Sequence, residues 1–76
     1  MITVKFYGLM RIESGIRQLQ VDAGSLKELY ARLQEAGLRK QDLKGCYVLV
    51  NGTAAGRNTV LNHGDVVQML PPVAGG

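Results

Sequence analysis

The sequence predicts an α+β fold, a mixed sheet of four to five strands with one main helix laid across one face. Three observations point there. Period-two alternation of apolar and polar residues opens and closes the chain, one central segment has helical spacing, and that segment carries a single apolar stripe that a sheet face would cover. At 76 residues there is room for one core. Surface scaling has folding hide roughly 7,400 of about 11,900 Å² of unfolded-chain surface, so that core is thin.

Ile2, Val4 and Phe6 alternate with Thr3, Lys5 and Tyr7, which places three apolar groups on one face of a first strand that Gly8 ends. A turn region holding Glu13, Ser14 and Gly15 follows. Alternation resumes with Leu19 and Val21 against Gln18, Gln20 and Asp22, a second strand paired to the first as a hairpin. Ser25 and Glu28 then form an S-x-x-E capping box, in which each side chain accepts a hydrogen bond from an amide otherwise unpaired at a helix start. Leu26, Leu29, Tyr30 and Leu33 recur at three- and four-residue spacing, so a helix runs from Leu26 to about Ala36, and Gly37 supplies its left-handed stop.

The polar stretch from Arg39 to Gly45 reads as a loop. Cys46-Tyr47-Val48-Leu49-Val50 is rich in β-formers and closed by Asn51-Gly52; its near-continuous apolarity predicts an inner or doubly covered strand. Residues 53 to 60 have room for a short edge strand. Asn62-His63-Gly64 turns the chain into a last strand, Asp65 to Leu70, with Val67 and Met69 on one face. Pro71 and Pro72 end it, since neither has an amide proton to give to a ladder. A β-grasp arrangement, with the first and last strands side by side in the centre, satisfies this order. It divides the chain into a domain, 1–70, and a flexible tail, 71–76.

Hydrophobic residues at 46% and charged residues at 20% are ordinary globular values. No apolar run approaches the about 20 residues needed to span a bilayer, and MITVKF lacks a secretory pattern, so a cytoplasmic protein without a membrane partner is expected. The net charge of +3 is scattered. Arg39, Lys40 and Lys44 cluster, but Asp42 interrupts them, and a solvated loop is the reading preferred over a nucleic-acid site. Cys46 and His63 are single and seventeen residues apart, too few ligands for zinc, and no metal is expected. Cys46 opens an apolar strand and reads as a small buried hydrophobe rather than a sulfur relay. His63 reads as a solvated turn residue and Asp65 as a turn and strand-entry residue. No nucleophile, base and orienter set is present, so the chain is not expected to be a stand-alone catalyst.

Two of the ten glycines, Gly75 and Gly76, are the last two residues. An ordinary frayed terminus is one reading. Two details favour another: Pro71 and Pro72 stiffen the exit from the sheet, and side chains then shrink from Val73 through Ala74 to glycine, giving a tail able to thread a narrow channel. At its tip the reactive group is the α-carboxylate of Gly76, a poor electrophile until it is adenylated. Once activated, an unbranched glycyl carbonyl is the least hindered acyl centre for a sulfur or amine nucleophile. The internal glycines sit singly in turns and form no phosphate loop, so an ATP-using partner has to supply the activation.

The run LNHGDVVQMLPPVAGG, residues 61–76, resembles the C-terminal signature of the ubiquitin-like sulfur carriers of the MoaD/ThiS family, and is most similar to the small subunit of molybdopterin synthase. The resemblance implies a ubiquitin-like β-grasp fold. It also implies that a MoeB/ThiF-like adenylating enzyme attaches AMP to Gly76 and that a sulfurtransferase then replaces it, leaving a C-terminal thiocarboxylate. A MoaE-like large subunit, in a two-plus-two heterotetramer, would take the tail into its active site and pass the sulfur to cyclic pyranopterin monophosphate. Gly75 and Gly76 inherit their role from the family's terminal pair. No bound cofactor is implied, ATP being used by the partner, and with Gly76 last no proteolytic exposure is expected. Thiamine or cysteine synthesis, protein modification, and a plain β-grasp binding module are the competing readings.

Strand parity adds a surface. With Val4 and Phe6 facing the helix, Lys5 and Tyr7 face outward, as do Val66, Gln68 and Leu70. If the first and last strands are parallel neighbours, Tyr7 and Leu70 meet where the tail leaves. They form an apolar docking patch edged by Arg11 and continued by Pro71, Pro72, Val73 and Ala74.

Overall fold

The computed structural model describes residues 1–71. Strand β1, Ile2–Phe6, buries Ile2, Val4 and Phe6, as its alternation requires. It pairs antiparallel with β2, Gln18–Val21, and parallel with β5, Val66–Leu70, in the register Thr3↔Val66 to Phe6↔Met69. On the far side of β5 lies β3, Tyr47–Val50, antiparallel, and β4, Thr53–Ala54, forms the edge. The order β2-β1-β5-β3-β4 puts the first and last strands in the middle. The expected β-grasp sheet of four to five strands is therefore present, with five. β3 is an inner strand, but only one of its faces is covered: Val48 is buried, whereas Tyr47 on the opposite face is 60% exposed.

The covering element is α2, Leu26–Glu35, whose Leu26, Leu29 and Leu33 are buried against the sheet. Ser25 Oγ accepts the Glu28 N–H at 3.2 Å, half of the capping box. The other half is displaced by one residue, for the Glu28 carboxylate accepts from the Gly24 N–H, at 3.4 Å. At the far end Gly37, with φ 107°, lets the chain fold back so that the Gly37 and Leu38 amides donate to the Gln34 and Leu33 carbonyls at 3.0 and 3.1 Å.

Two helices replace segments expected to be irregular. The turn region after Gly8 is α1, Gly8–Ser14, and the polar stretch after Arg39 contains α3, Lys40–Lys44. Neither has a side-chain N-cap, and both are too short to form alone. Burial in the common core holds both, through Met10 in α1 and Leu43 in α3. Gly15 at φ 73° closes α1, and Ser14 Oγ secures the stop by donating to the Met10 carbonyl at 2.7 Å and accepting the Ile16 N–H at 3.1 Å. The loop between β4 and β5 is also tied down, through an isolated bridge between Ser25 and Val60.

Asn51 and Gly52 both have positive φ, 51° and 83°, the type I′ geometry that suits a two-residue hairpin. Asn51 also joins this turn to the start of β5: its Nδ2 donates to Asp65 Oδ1 at 2.9 Å and its Oδ1 accepts the Val66 N–H at 3.0 Å. Asp65 Oδ2 in turn accepts the Asn62 N–H at 2.8 Å. The Asn62 amide and the Asn51 side chain hold the Asp65 carboxyl below its ordinary value. A depressed folded-state pKa stabilises the fold above the unfolded value, near 4, and that contribution disappears as pH falls through the lower folded value. Asp65→Asn is therefore expected to flatten the acid-unfolding profile below about pH 4, read by circular dichroism at stepped pH. Profiles of equal slope for the two proteins would remove Asp65 as an acid-sensitive lock.

Candidate functional site

The site is built where β5 ends. β1 and β5 run parallel, so their C-terminal ends lie together, and the ladder extends one residue further when the Tyr7 N–H donates to the Met69 carbonyl at 3.3 Å. Tyr7 thereby sits beside Leu70, on the face away from α2. Its hydroxyl accepts from Gln68 Nε2 at 3.2 Å, which fixes the ring over the strand that leads to the tail. The structure brings the expected pair together, with both residues half-buried. Arg11, exposed on α1, borders Tyr7 in a shallow groove that also includes Gly15 and Ile16.

Sequence reasoning missed Tyr47. Directly opposite Leu70 in the β3/β5 ladder, it extends the row to Tyr7-Leu70-Tyr47 across three neighbouring strands and is the most exposed of the three. Its signal was the outward parity of a residue adjoining Val48, but the neighbour it would meet depends on the β3/β5 register. Ile12, on α1, is 75% exposed and adds a further apolar side chain at this end of the molecule.

Pro71 leaves β5 against α1. Its ring lies over Gly8, whose φ of 65° and missing side chain make space for it. Pro72, Val73, Ala74, Gly75 and Gly76 lie outside the described residues.

The tempting side chains lie elsewhere. Cys46 is half-buried against the core; its Sγ donates to the Asp42 carbonyl at 3.1 Å and lies 3.6 Å from Met10 Sδ. Burial pushes its thiol up, and Asp42 adds to the shift, the reverse of what an activated nucleophile needs. His63 is exposed in the turn before β5, where its Nδ1 meets the Met1 amine, at the opposite end of β1 and β5 from the tail. Among the described residues no group of three or more His, Cys, Asp or Glu is placed to hold a metal ion, and no helix is long and apolar enough to cross a membrane.

Comparison with known proteins adds likeness to a family and to solved structures. The model of the ThiS family matches residues 4–76. Among solved structures, a chain of the complex of subunits 1 and 2 of molybdopterin-converting factor from Helicobacter pylori is 37% identical, with 99% of this chain and 97% of that one covered and a TM-score of 0.77. Urm1 from Trypanosoma brucei is 29% identical over 99% and 94% of the two chains, with a TM-score of 0.72. SAMP1 from Haloferax volcanii, at 24% identity, covers 99% and 98% with a TM-score of 0.85 and speaks for the fold. No curated protein sequence matches the chain.

Proposed function

The chain belongs to the ThiS family of ubiquitin-like sulfur carriers, and from this premise we propose that it carries sulfur as a thiocarboxylate on Gly76 for molybdopterin biosynthesis, as the small subunit of the synthase. The observation that carries the pathway is the 37% identity, over nearly the whole of both chains, to a component of a molybdopterin-converting factor complex. In the proposed cycle, the Gly76 carboxylate attacks the α-phosphorus of ATP on an adenylating partner and pyrophosphate leaves. The outer sulfur of a persulfide on a sulfurtransferase then displaces AMP to give an acyl disulfide, and a thiol cleaves its S–S bond, leaving the thiocarboxylate on Gly76 and a disulfide on the sulfurtransferase side. The large subunit receives the tail, and the thiocarboxylate sulfur passes to the pterin precursor. This chain contributes an unhindered acyl carbon, a tail and a docking face; ATP and substrate are bound by its partners.

Intact mass spectrometry tests the cycle. With ATP, an adenylating enzyme and a sulfur source, the protein is expected to show an AMP adduct and then replacement of one oxygen by sulfur, both localised to Gly76. Sulfur on Gly76 that a purified large subunit fails to discharge onto the pterin precursor would redirect the pathway to another acceptor. Lysine-linked conjugates would make the chain a modifier. An unmodified mass, with the enzyme active on a control carrier, would remove the carrier reading.

The row Tyr7-Leu70-Tyr47 serves in this reading as the apolar centre of the docking face. Truncating aromatic anchors at the centre of an interface commonly costs about 2 kcal/mol or more. Tyr47→Ala and Tyr7→Ala are each expected to weaken binding to the large subunit by about tenfold or more, with Leu70→Ser similar, measured by calorimetry. Folded variants that bind as the parent does would take these residues out of the interface.

A further inference from the structure

On the helix side of the sheet, away from Tyr7-Leu70-Tyr47, α2 and α3 enclose a groove of about 510 Å³. Four cations line it: Lys27 from α2, Lys40 and Lys44 from α3, and Arg57 from the loop after β4. Arg57 is placed by a turn that Thr59 N–H closes onto the Gly56 carbonyl, and that loop is bound to the start of α2 by Leu26 N–H to the Thr59 carbonyl, both at 3.0 Å. The half-buried ring of Tyr30 and the exposed Ala31 and Gln34 complete the wall.

Five of the six Asp and Glu side chains are engaged elsewhere, and the sixth, Asp22, follows β2 and does not line the groove. Glu28 and Glu35 pair with Arg32, at 3.8 and 3.2 Å. Glu13 and Asp42 pair with Arg39, at 3.4 and 2.8 Å. Asp65 is committed to Asn51 and Asn62. Asp42, which interrupts the basic cluster in sequence, is thus turned onto Arg39, and among the described residues none of the four groove cations has an ion-pair partner. A concave site with one sign of charge concentrates ligands of the other.

We propose that this groove is a second docking surface, which takes an acidic segment of a partner protein. Three of the four cations are lysines, whose compact ammonium groups attract carboxylates without needing the forked geometry that arginine offers to phosphate. Tyr30 and Ala31 give the apolar part of a peptide something to lie on. A long phosphate backbone suits the site less well. The next stripe of the same helix, Glu28-Arg32-Glu35, is net negative and would repel a polyanion running past the groove, whereas a protein can set a positive side chain against it. The groove and the tail-side patch lie on opposite faces of the sheet, so both can be occupied together.

The test uses the full-length ¹⁵N-labelled protein, titrated at low salt with a short acetylated, amidated peptide of glutamate and leucine. Saturable amide shifts are expected to concentrate at residues 27–34, 40–44 and 57. Lys40→Glu/Lys44→Glu is expected to weaken binding at least about tenfold, and Lys5→Glu/Arg17→Glu, the same change of charge outside the groove, by less than about twofold. If the first double variant fails to fold by its own spectrum, Lys40→Gln/Lys44→Gln replaces it. Equal losses in the two double variants, shifts scattered over both faces, or tighter binding of oligothymidylate than of the peptide would each overturn the proposal.

Discussion

Removing Gly75 and Gly76 is expected to reduce adenylation by more than about 100-fold while leaving the domain folded. The two residues span about 7 Å when extended, so their loss draws the terminal carboxylate back by that distance from an active site that requires contact at about 3–3.5 Å. It also exchanges an unbranched acyl carbon for that of Ala74. The ladders and core described above are built within residues 1–71, and the thermal midpoint is expected to move by no more than about 4 °C. Gly76→Ala keeps the reach and adds one methyl beside the carbonyl, so a smaller loss, on the order of tenfold, separates steric hindrance from reach. Adenylation of the shortened protein at the parent rate, measured by pyrophosphate release, would sink the assignment of Gly76.

Gly8→Ala is expected to be the more damaging change to the fold. A Cβ built on Gly8 would stand 2.6 Å from Cγ and 3.3 Å from Cδ of Pro71, part of a ring that cannot rotate away. The backbone there is also left-handed, with φ 65°. Left-handed strain costs about 1–2 kcal/mol and overpacking about 1–3 more, so a loss of about 2–5 kcal/mol and a fall of roughly 10 °C or more in Tm are expected. Gly15→Ala provides the control. Gly15 has φ 73° but nothing within 4 Å of an added Cβ, so it should lose about 1–2 kcal/mol, the strain alone. The excess at Gly8 should largely disappear in a Pro71→Ala background, where Cγ and Cδ are gone. Equal losses at Gly8 and Gly15 in thermal melts would show that the proline contact contributes nothing.

What the sequence discloses here follows the range of the interactions involved. β1, β2 and β5 announce themselves through alternation because one face of each is buried and the other is not. α2 does so through its stripe, its Ser25 cap and Gly37. α1 and α3 carry no comparable local signal: their N-cap residues, Tyr7 and Arg39, make no side-chain cap bond, and the burial of Met10 and Leu43 that holds them is a property of the assembled core. The same distinction divides the site. Parity and a parallel β1/β5 pair suffice to join Tyr7 to Leu70, whereas Tyr47 enters only through the β3/β5 register, which no local pattern states. The groove between α2 and α3 was hidden for a related reason: in sequence Asp42 sits among Lys40 and Lys44, and only the folded chain shows it bound to Arg39.

The central place of β5 bears on how the domain withstands traction. Roughly 60 residues of chain separate β1 from the strand it pairs with, so that pairing closes a loop comprising most of the domain, and β5 is bonded on both edges, to β1 and to β3. Under the proposed function, a partner that drew the tail into a channel would pull along β5 and load these two ladders in shear, so their hydrogen bonds would resist together rather than open one by one. The β5 amides are accordingly expected to exchange with solvent only through global opening, because the tail issues from the part of the sheet least able to peel.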